Sequence, residues 1–225
     1  MTFDDGYRDF LDFALPVLTV RKIPCVLFPT MSSAKGEELL PVDSLYSALS
    51  VAKRDARFND NEIREWVTGE KKKRFVRANS SEQRRLLEDA GFHSATTAPS
   101  SLYLNESELA RLPAELVTLG GHGCRHELLA NRELSQVRAE LRKVRFWLEG
   151  LNPTRHCLNL SLAYPNGSHD SIAIAAAIEA GFTSAFSVEP WKKGHASHRW
   201  RLNRSCIPNQ SDAIKNLASG KEIHI

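Results

Sequence analysis

Three short apolar runs in this chain end alike, each passing straight into glycine and side chains capable of chemistry. Thr2-Phe3 runs into Asp4-Asp5-Gly6, Leu116 to Leu119 into Gly120-Gly121-His122, and Cys157 to Ala163 into Tyr164-Pro165-Asn166-Gly167. A fourth run, Pro24 to Pro29, has proline at both ends. Runs this short, bounded by turn residues, predict buried strands. Helical patterns lie between them. Phe10, Leu11, Ala14, Leu15 and Leu18 recur at helical spacing, with Pro16 expected to kink or interrupt the helix. Ser135 to Gly150 carries an apolar stripe of Val137, Leu141, Val144, Trp147 and Leu148, and Ile172 to Ala180 ends at the C-cap residue Gly181. Phe182 to Val188 and Trp200 to Ile207 predict further strands, and Ser211 to Leu217 a last helix. Strands alternating with helices make an α/β fold with a parallel sheet or a distorted barrel, whose chemistry sits where strand ends open onto a crevice.

The 225 residues suit one large domain, and a hydrophobic content of 42% is enough for a sizeable core. A net charge of +3 is too small to point to nucleic acid. The one basic run, Lys71-Lys72-Lys73-Arg74, reads as a solvated loop or helix face. Cys25, Cys124, Cys157 and Cys206 are scattered, without the spacing of a zinc knuckle or a disulfide framework, and Cys25 reads as core. No apolar stretch is long enough to span a membrane. No leader follows Met1, and Thr2-Phe3 is short for a strand that must hold Asp4 and Asp5, so the first strand is expected to be truncated. The compartment stays open between the cytoplasm and, for a chain that begins short of its natural start, export. Residues from about 31 to 105 break the rhythm. They are more polar, with predicted helices near 42–56, 61–67 and 81–90, and Asn105 is placed to cap a helix with Glu108 three residues on. This region is expected to be a helical insertion on a single domain covering 1–225.

Taken singly, each motif at a strand end is also ordinary turn or surface chemistry. Together they can do more. Of two adjacent carboxylates, one can hold a divalent metal while its neighbour acts as a base on water. His122 and His126 stand at i and i+4; on a helical turn both face one way and can bind one ion. One carboxylate and two imidazoles on one rim suit Zn²⁺ first, with Co²⁺, Ni²⁺ or Mn²⁺ as alternatives. The turn at Tyr164-Pro165-Asn166-Gly167 has a functional use in aiming a backbone N–H at a developing oxyanion.

Thr2-Phe3-Asp4-Asp5-Gly6, His122-x-x-x-His126 and Ala163-Tyr164-Pro165-Asn166-Gly167, in this order and on strand ends, resemble the polysaccharide deacetylase family with its NodB homology domain. The resemblance covers roughly 1–30 and 115–208. It implies a distorted (β/α) barrel with fewer complete strands than the regular eight. It implies Asp4 as general base, Asp5, His122 and His126 as metal ligands, and the Asn166 N–H at the oxyanion. The implied reaction is hydrolysis of an N-acetyl group on a carbohydrate polymer or oligosaccharide, with a histidine or protonated Asp4 returning a proton to the leaving amine.

The chain departs from the family pattern in three places. Gly123 stands where Ser or Thr is usual. Ala163 stands where many members carry an arginine that orients the catalytic aspartate. Leu202-Asn203-Arg204 stands where a Leu-x-His motif supplies the general acid, and arginine stays protonated. His195, His198 and His169 are the candidates to replace that histidine. Two rival readings follow: a catalytically impaired member that binds glycans or partners, and a metal hydrolase of another amide or ester.

Overall fold

The computed structural model describes residues 1–53, 58–92, 101–151, 160–188 and 198–204. Five strands lie within them: β1 (Thr2–Asp5), β2 (Cys25–Pro29), β3 (Val117–Leu119), β4 (Ser161–Ala163) and β5 (Ser184–Phe186). β1, β2 and β3 pair in parallel, Asp4 opposite Phe28 and Leu27 opposite Leu119. β4 and β5 form a second parallel pair, Ala163 opposite Phe186. A bridge from Gly121 to Leu162 joins the two sheets, and a bridge from Phe186 to Leu202 sets the last described segment beside β5. Neighbours therefore follow chain order around the wall, as in a singly wound barrel rather than a doubly wound sheet. No ladder among the described residues closes the wall from Leu202 back to β1. The fold is a distorted, open (β/α) barrel.

β1 is short, as expected, yet all four of its residues are in register with β2, and the Val26 N–H also donates to the Met1 carbonyl at 3.0 Å. β3 and β4 end where their apolar runs end, at Leu119 and Ala163, and β5 takes only Ser184–Phe186 of the run from Phe182 to Val188. Among the described residues of the strand expected from Trp200 to Ile207, isolated bridges are formed, at His198–Arg201 and Phe186–Leu202. Residues 157–159, 205–207 and the helix expected at Ser211 to Leu217 lie outside the described residues.

Proline shapes the first helix in a way the spacing did not specify. Phe10–Ala14 is a π-helical turn, and α1 (Leu15–Arg21) then carries Pro16 in its first turn. Pro16 has no N–H to give and its ring crowds the carbonyl four residues back, so the wider turn precedes it. α8 (Leu134–Leu151) buries the stripe foreseen for it, Val137, Leu141, Val144, Trp147 and Leu148. It packs against α9 (Ser171–Glu179), whose Ala173, Ala176 and Ala177 are small enough to let the helices approach closely. With Leu27, Leu119, Leu162 and Ala185 from the strands, these residues form the main core.

Between β2 and β3 run α2 (Met31–Ala34), α3 (Pro41–Ala52), α4 (Asp60–Val67), α5 (Glu70–Arg77), α6 (Ser80–Asp89) and α7 (Glu106–Arg111). α3 to α6 share a second apolar cluster built on Leu45, Leu49, Trp66, Phe75, Leu87 and Phe92. The basic run is a helix face, since α5 buries Phe75 while Lys71 lies over the Trp66 ring, Lys72 bonds the Tyr46 hydroxyl and Lys73 pairs with Glu70. Asn105 and Glu108 form the foreseen capping box on α7.

One carboxylate ties this helical region to the site. Asp43, in the first turn of α3, accepts from the Tyr7 hydroxyl at 2.7 Å and from the Tyr103 hydroxyl, which in turn accepts from the Leu40 N–H at 3.0 Å. Burial first, and then the Asp43 hydrogen bond, push both phenols above the usual tyrosine range. Asp43→Ala leaves both hydroxyls without their acceptor and should cost about 2 kcal/mol in urea unfolding. The raised phenol pKa values fix a second expectation. The stability they contribute is fully present below the unfolded value near pH ~10 and is lost as pH rises toward the folded value. Tyr7→Phe should flatten that alkaline loss.

Candidate active site

Successive residues of a strand point to opposite faces, so Asp4 and Asp5 should diverge. They do not, because the strand ends in a tight turn. The Gly6 N–H donates to the Asp4 carbonyl at 2.9 Å, making Asp5 the middle of a γ-turn with φ +72, the rarer and more strained kind. Gly6 follows at φ +78, and a Cβ there would meet the Pro29 Cβ at 2.9 Å, so glycine alone fits. The turn leaves both carboxylates within reach of one imidazole. His122 Nε2 lies 3.4 Å from Asp5 Oδ1 and 3.9 Å from Asp4 Oδ2.

His122 and His126 are not on a helical turn. They sit in the loop after β3, folded back by left-handed residues at Gly123 (φ +80) and His126 (φ +58). The rings end 4.8 Å apart and nearly perpendicular. His122 is buried, and its Nδ1–H donates to the Ala163 carbonyl at 2.8 Å, which leaves Nε2 facing Asp5. His126 Nε2 lies 3.5 Å from the same Asp5 Oδ1.

The positive φ at 123 explains the missing Ser or Thr, because a side chain there would be strained. The loop is braced from its neighbours. The Met31 N–H donates to the Gly123 carbonyl, the Ser32 N–H donates to the Cys124 carbonyl at 2.9 Å, and Glu140 of α8 accepts from the Cys124 N–H at 3.2 Å. Arg132 holds Glu140 at 2.6 Å.

Asp5 Oδ1 is buried with no hydrogen-bond partner, since both imidazoles are too distant and poorly aligned to satisfy it. Burial pushes the Asp5 carboxyl up, but contact with His122 and the charges of His122, His126 and Arg204 outweigh it and hold the pKa below the usual value. Burial pushes His122 down, and here too the contact with Asp5 and the charges of Asp4 and Asp5 win, raising it. His126 is pushed down to about 4, by burial first and then by the charge on His122. One ligand atom from each of Asp5, His122 and His126 lies within 4.8 Å of the others. Ligands about 2.0–2.1 Å from a tetrahedral Zn²⁺ stand roughly 3.3 Å apart, close to the Asp5–imidazole separations here. An anionic oxygen without a partner and two imidazole nitrogens at that spacing fit a divalent ion.

Arg204 reaches across the open side of the wall to β1. Its Nη1 bonds Asp4 Oδ1 at 2.6 Å and its Nη2 bonds Asp4 Oδ2 at 2.8 Å, while Nε donates to the Ser187 carbonyl at 3.1 Å. Asn166 lies at the exposed tip of the turn after β4, with φ +52. His169 stacks on Tyr164 and donates from Nδ1 to the Gly167 carbonyl. His198 is exposed, and among the described residues its contacts are with Trp200 and Arg201. His195 lies outside the described residues. The geometry thus gathers Asp4, Asp5, His122 and His126 at one rim with Asn166 on the turn beyond β4, and does not bring His198 to them.

Residues 1–185 match the family model described as polysaccharide deacetylase. The chain belongs to that family. Its fold is similar to that of the deacetylase PplD of Streptococcus pyogenes in complex with acetate, with TM-score 0.60 and 15% identity over 99% of this chain and 69% of that one. IcaB from Ammonifex degensii gives TM-score 0.55 and 17% identity over 97% and 70%. The BpsB deacetylase domain from Bordetella bronchiseptica gives 0.53 and 15% over 91% and 69%. No curated protein matches the chain.

Two residues that shape this deacetylase-family rim escaped the sequence reading. Arg204 registered only as a lost acid. The absence of an arginine at Ala163 and the presence of one at 204 were complementary signals, joined only by three-dimensional proximity. Glu140 left no signal at all, because it is one charge among many on an amphipathic helix. Glu140→Ala should weaken Zn²⁺ binding about 10–100-fold in competition with a chromophoric chelator. Unchanged affinity would show that the loop does not need this brace.

Proposed function

We propose that this polysaccharide deacetylase family member is a metal-dependent hydrolase that removes N-acetyl groups from amino-sugar residues of a carbohydrate polymer or oligosaccharide. Residues 1–225 are read as one catalytic domain with a helical insertion at about 31–105. The observation that carries the reading is the buried, partnerless Asp5 oxygen set between His122 and His126 with a second carboxylate beside it. Asp5, His122 and His126 would hold the ion, Zn²⁺ first. When bound it supplies a Lewis acid that polarises the acetyl carbonyl and acidifies water.

The chain's own residues do the rest. Asp4 takes the proton of the attacking water. Its bidentate bond to Arg204 fixes the carboxylate plane and leaves further lone pairs free to accept. The water oxygen bonds to the acetyl carbon, and the carbonyl oxygen takes up charge. The backbone N–H of Asn166, on the turn beyond β4, would donate to it. When the C–N bond breaks, the amine nitrogen takes a proton. Arg204 cannot give one, His198 keeps its contacts within its own turn, and His169 is stacked on Tyr164 with its Nδ1–H on the Gly167 carbonyl, so protonated Asp4 is the donor that the described geometry favours. The products are acetate and a free amino sugar.

The impaired-member reading has one observation in its favour, the arginine where the family's acid stands. Acetate release decides between the two. Asp4→Asn should lower turnover of N-acetylated oligosaccharides about 10²–10⁴-fold while metal content stays at one ion per chain. His122→Ala should lose both metal and activity. Full activity in either variant contradicts the mechanism, and a metal-loaded wild type that releases no acetate from a panel of N-acetylated glycans favours the binding module.

A further inference from the structure

Distance does not decide which of the two carboxylates serves as ligand. His122 Nε2 is 3.4 Å from Asp5 and only 3.9 Å from Asp4. What separates them is their partners. Both Asp4 oxygens are engaged by the guanidinium of Arg204, at 2.6 and 2.8 Å, a bidentate geometry that fixes the carboxylate in plane and direction. Asp5 Oδ1, by contrast, is buried and unpartnered.

Arg204 is itself held from several sides. Its side chain is only 14% exposed, its Nε–H is tied to the Ser187 carbonyl, and its guanidinium carbon lies 5.9 Å from the ring centres of both Phe28 and Phe186. A third contact reaches the Thr2 hydroxyl at 3.4 Å. Lysine could not reproduce this arrangement, since a single ammonium cannot span both carboxylate oxygens in one plane.

We infer that Arg204 is a positioning residue that assigns the roles within the acidic pair. By holding both oxygens of Asp4 it keeps that carboxylate off the ion, leaving Asp5 as the one acidic ligand and Asp4 free to act on water. Without Arg204 the pair loses its division, and Asp4, already within reach of His122, turns toward the ion as an added ligand. The inference rests on the reading of Asp5, His122 and His126 as a metal site.

The test reads coordination rather than turnover. Wild type, Asp4→Asn, Arg204→Gln and Asp4→Asn/Arg204→Gln are loaded with Co²⁺, and the visible d–d absorption and the Co²⁺ affinity are recorded. With Arg204 present, Asp4→Asn should leave the spectrum unchanged and move the affinity less than about twofold. In the Arg204→Gln background the same change should alter the spectrum and weaken binding roughly tenfold, because there it removes a ligand. Arg204→Lys, which keeps the charge without the fork, should behave like Arg204→Gln, and it serves in its place if the glutamine variant fails to fold.

Equal effects of Asp4→Asn in both backgrounds would overturn the inference, as would a wild type that takes up no Co²⁺. The expected coupling in a wild type that releases no acetate would sink the deacetylase reading and leave the role of Arg204 standing.

Discussion

A single carboxylate oxygen organises this molecule. Asp5 Oδ1 is buried at the end of β1 without a hydrogen bond, a costly arrangement for an anion unless something compensates it. Two imidazole nitrogens lie 3.4 and 3.5 Å from it, one ring oriented by the Ala163 carbonyl and the other by a left-handed backbone. The three residues come from β1 and the loop after β3, and the orienting carbonyl from β4. The parallel wall that joins those strands is what lets them meet. Backbone ladders hold the strands in register, and α8 and α9 pack against them in the main core.

Strain collects at the rim. Five non-glycine residues among those described have positive φ, and three of them are Asp5, His126 and Asn166. Such conformations cost on the order of 1–3 kcal/mol each and persist where the surroundings over-determine them. Here the surroundings are a fully paired β1, a histidine loop tied to α2 and Glu140, and a turn anchored by the buried Tyr164, whose hydroxyl donates to the Trp200 carbonyl at 3.0 Å. The same strain turns Asp4 and Asp5, which ordinary strand alternation would separate, toward one imidazole.

Much of this was legible in the residues. The apolar runs ending in glycine located β1, β3 and β4, and the stripe on α8 was readable because period and burial agree over a long helix. That Asp5, His122 and His126 meet at one rim was readable because each lies at or just after the end of a strand. The fold of the histidine loop was not, since the i, i+4 spacing suits a helical turn as well as a loop bent by two left-handed residues, and only Gly123 hinted at the second. The π-turn before Pro16 and the helical state of the basic run at α5 depended on packing that local pattern does not encode. Arg204 was hidden most deeply. Its partner is two hundred positions away, and its meaning emerges only when the last described segment is laid beside β5 and across from β1.

The central claim is that Asp5, His122 and His126, and not Asp4, hold a divalent ion. Anomalous diffraction from crystals soaked in Zn²⁺ tests it most directly. The account predicts one peak at about 2.0–2.2 Å from an Asp5 oxygen and from Nε2 of both histidines, with Asp4 still bonded to Arg204. An empty site in zinc-soaked crystals, or an ion bound by Asp4 in place of Asp5, would contradict it.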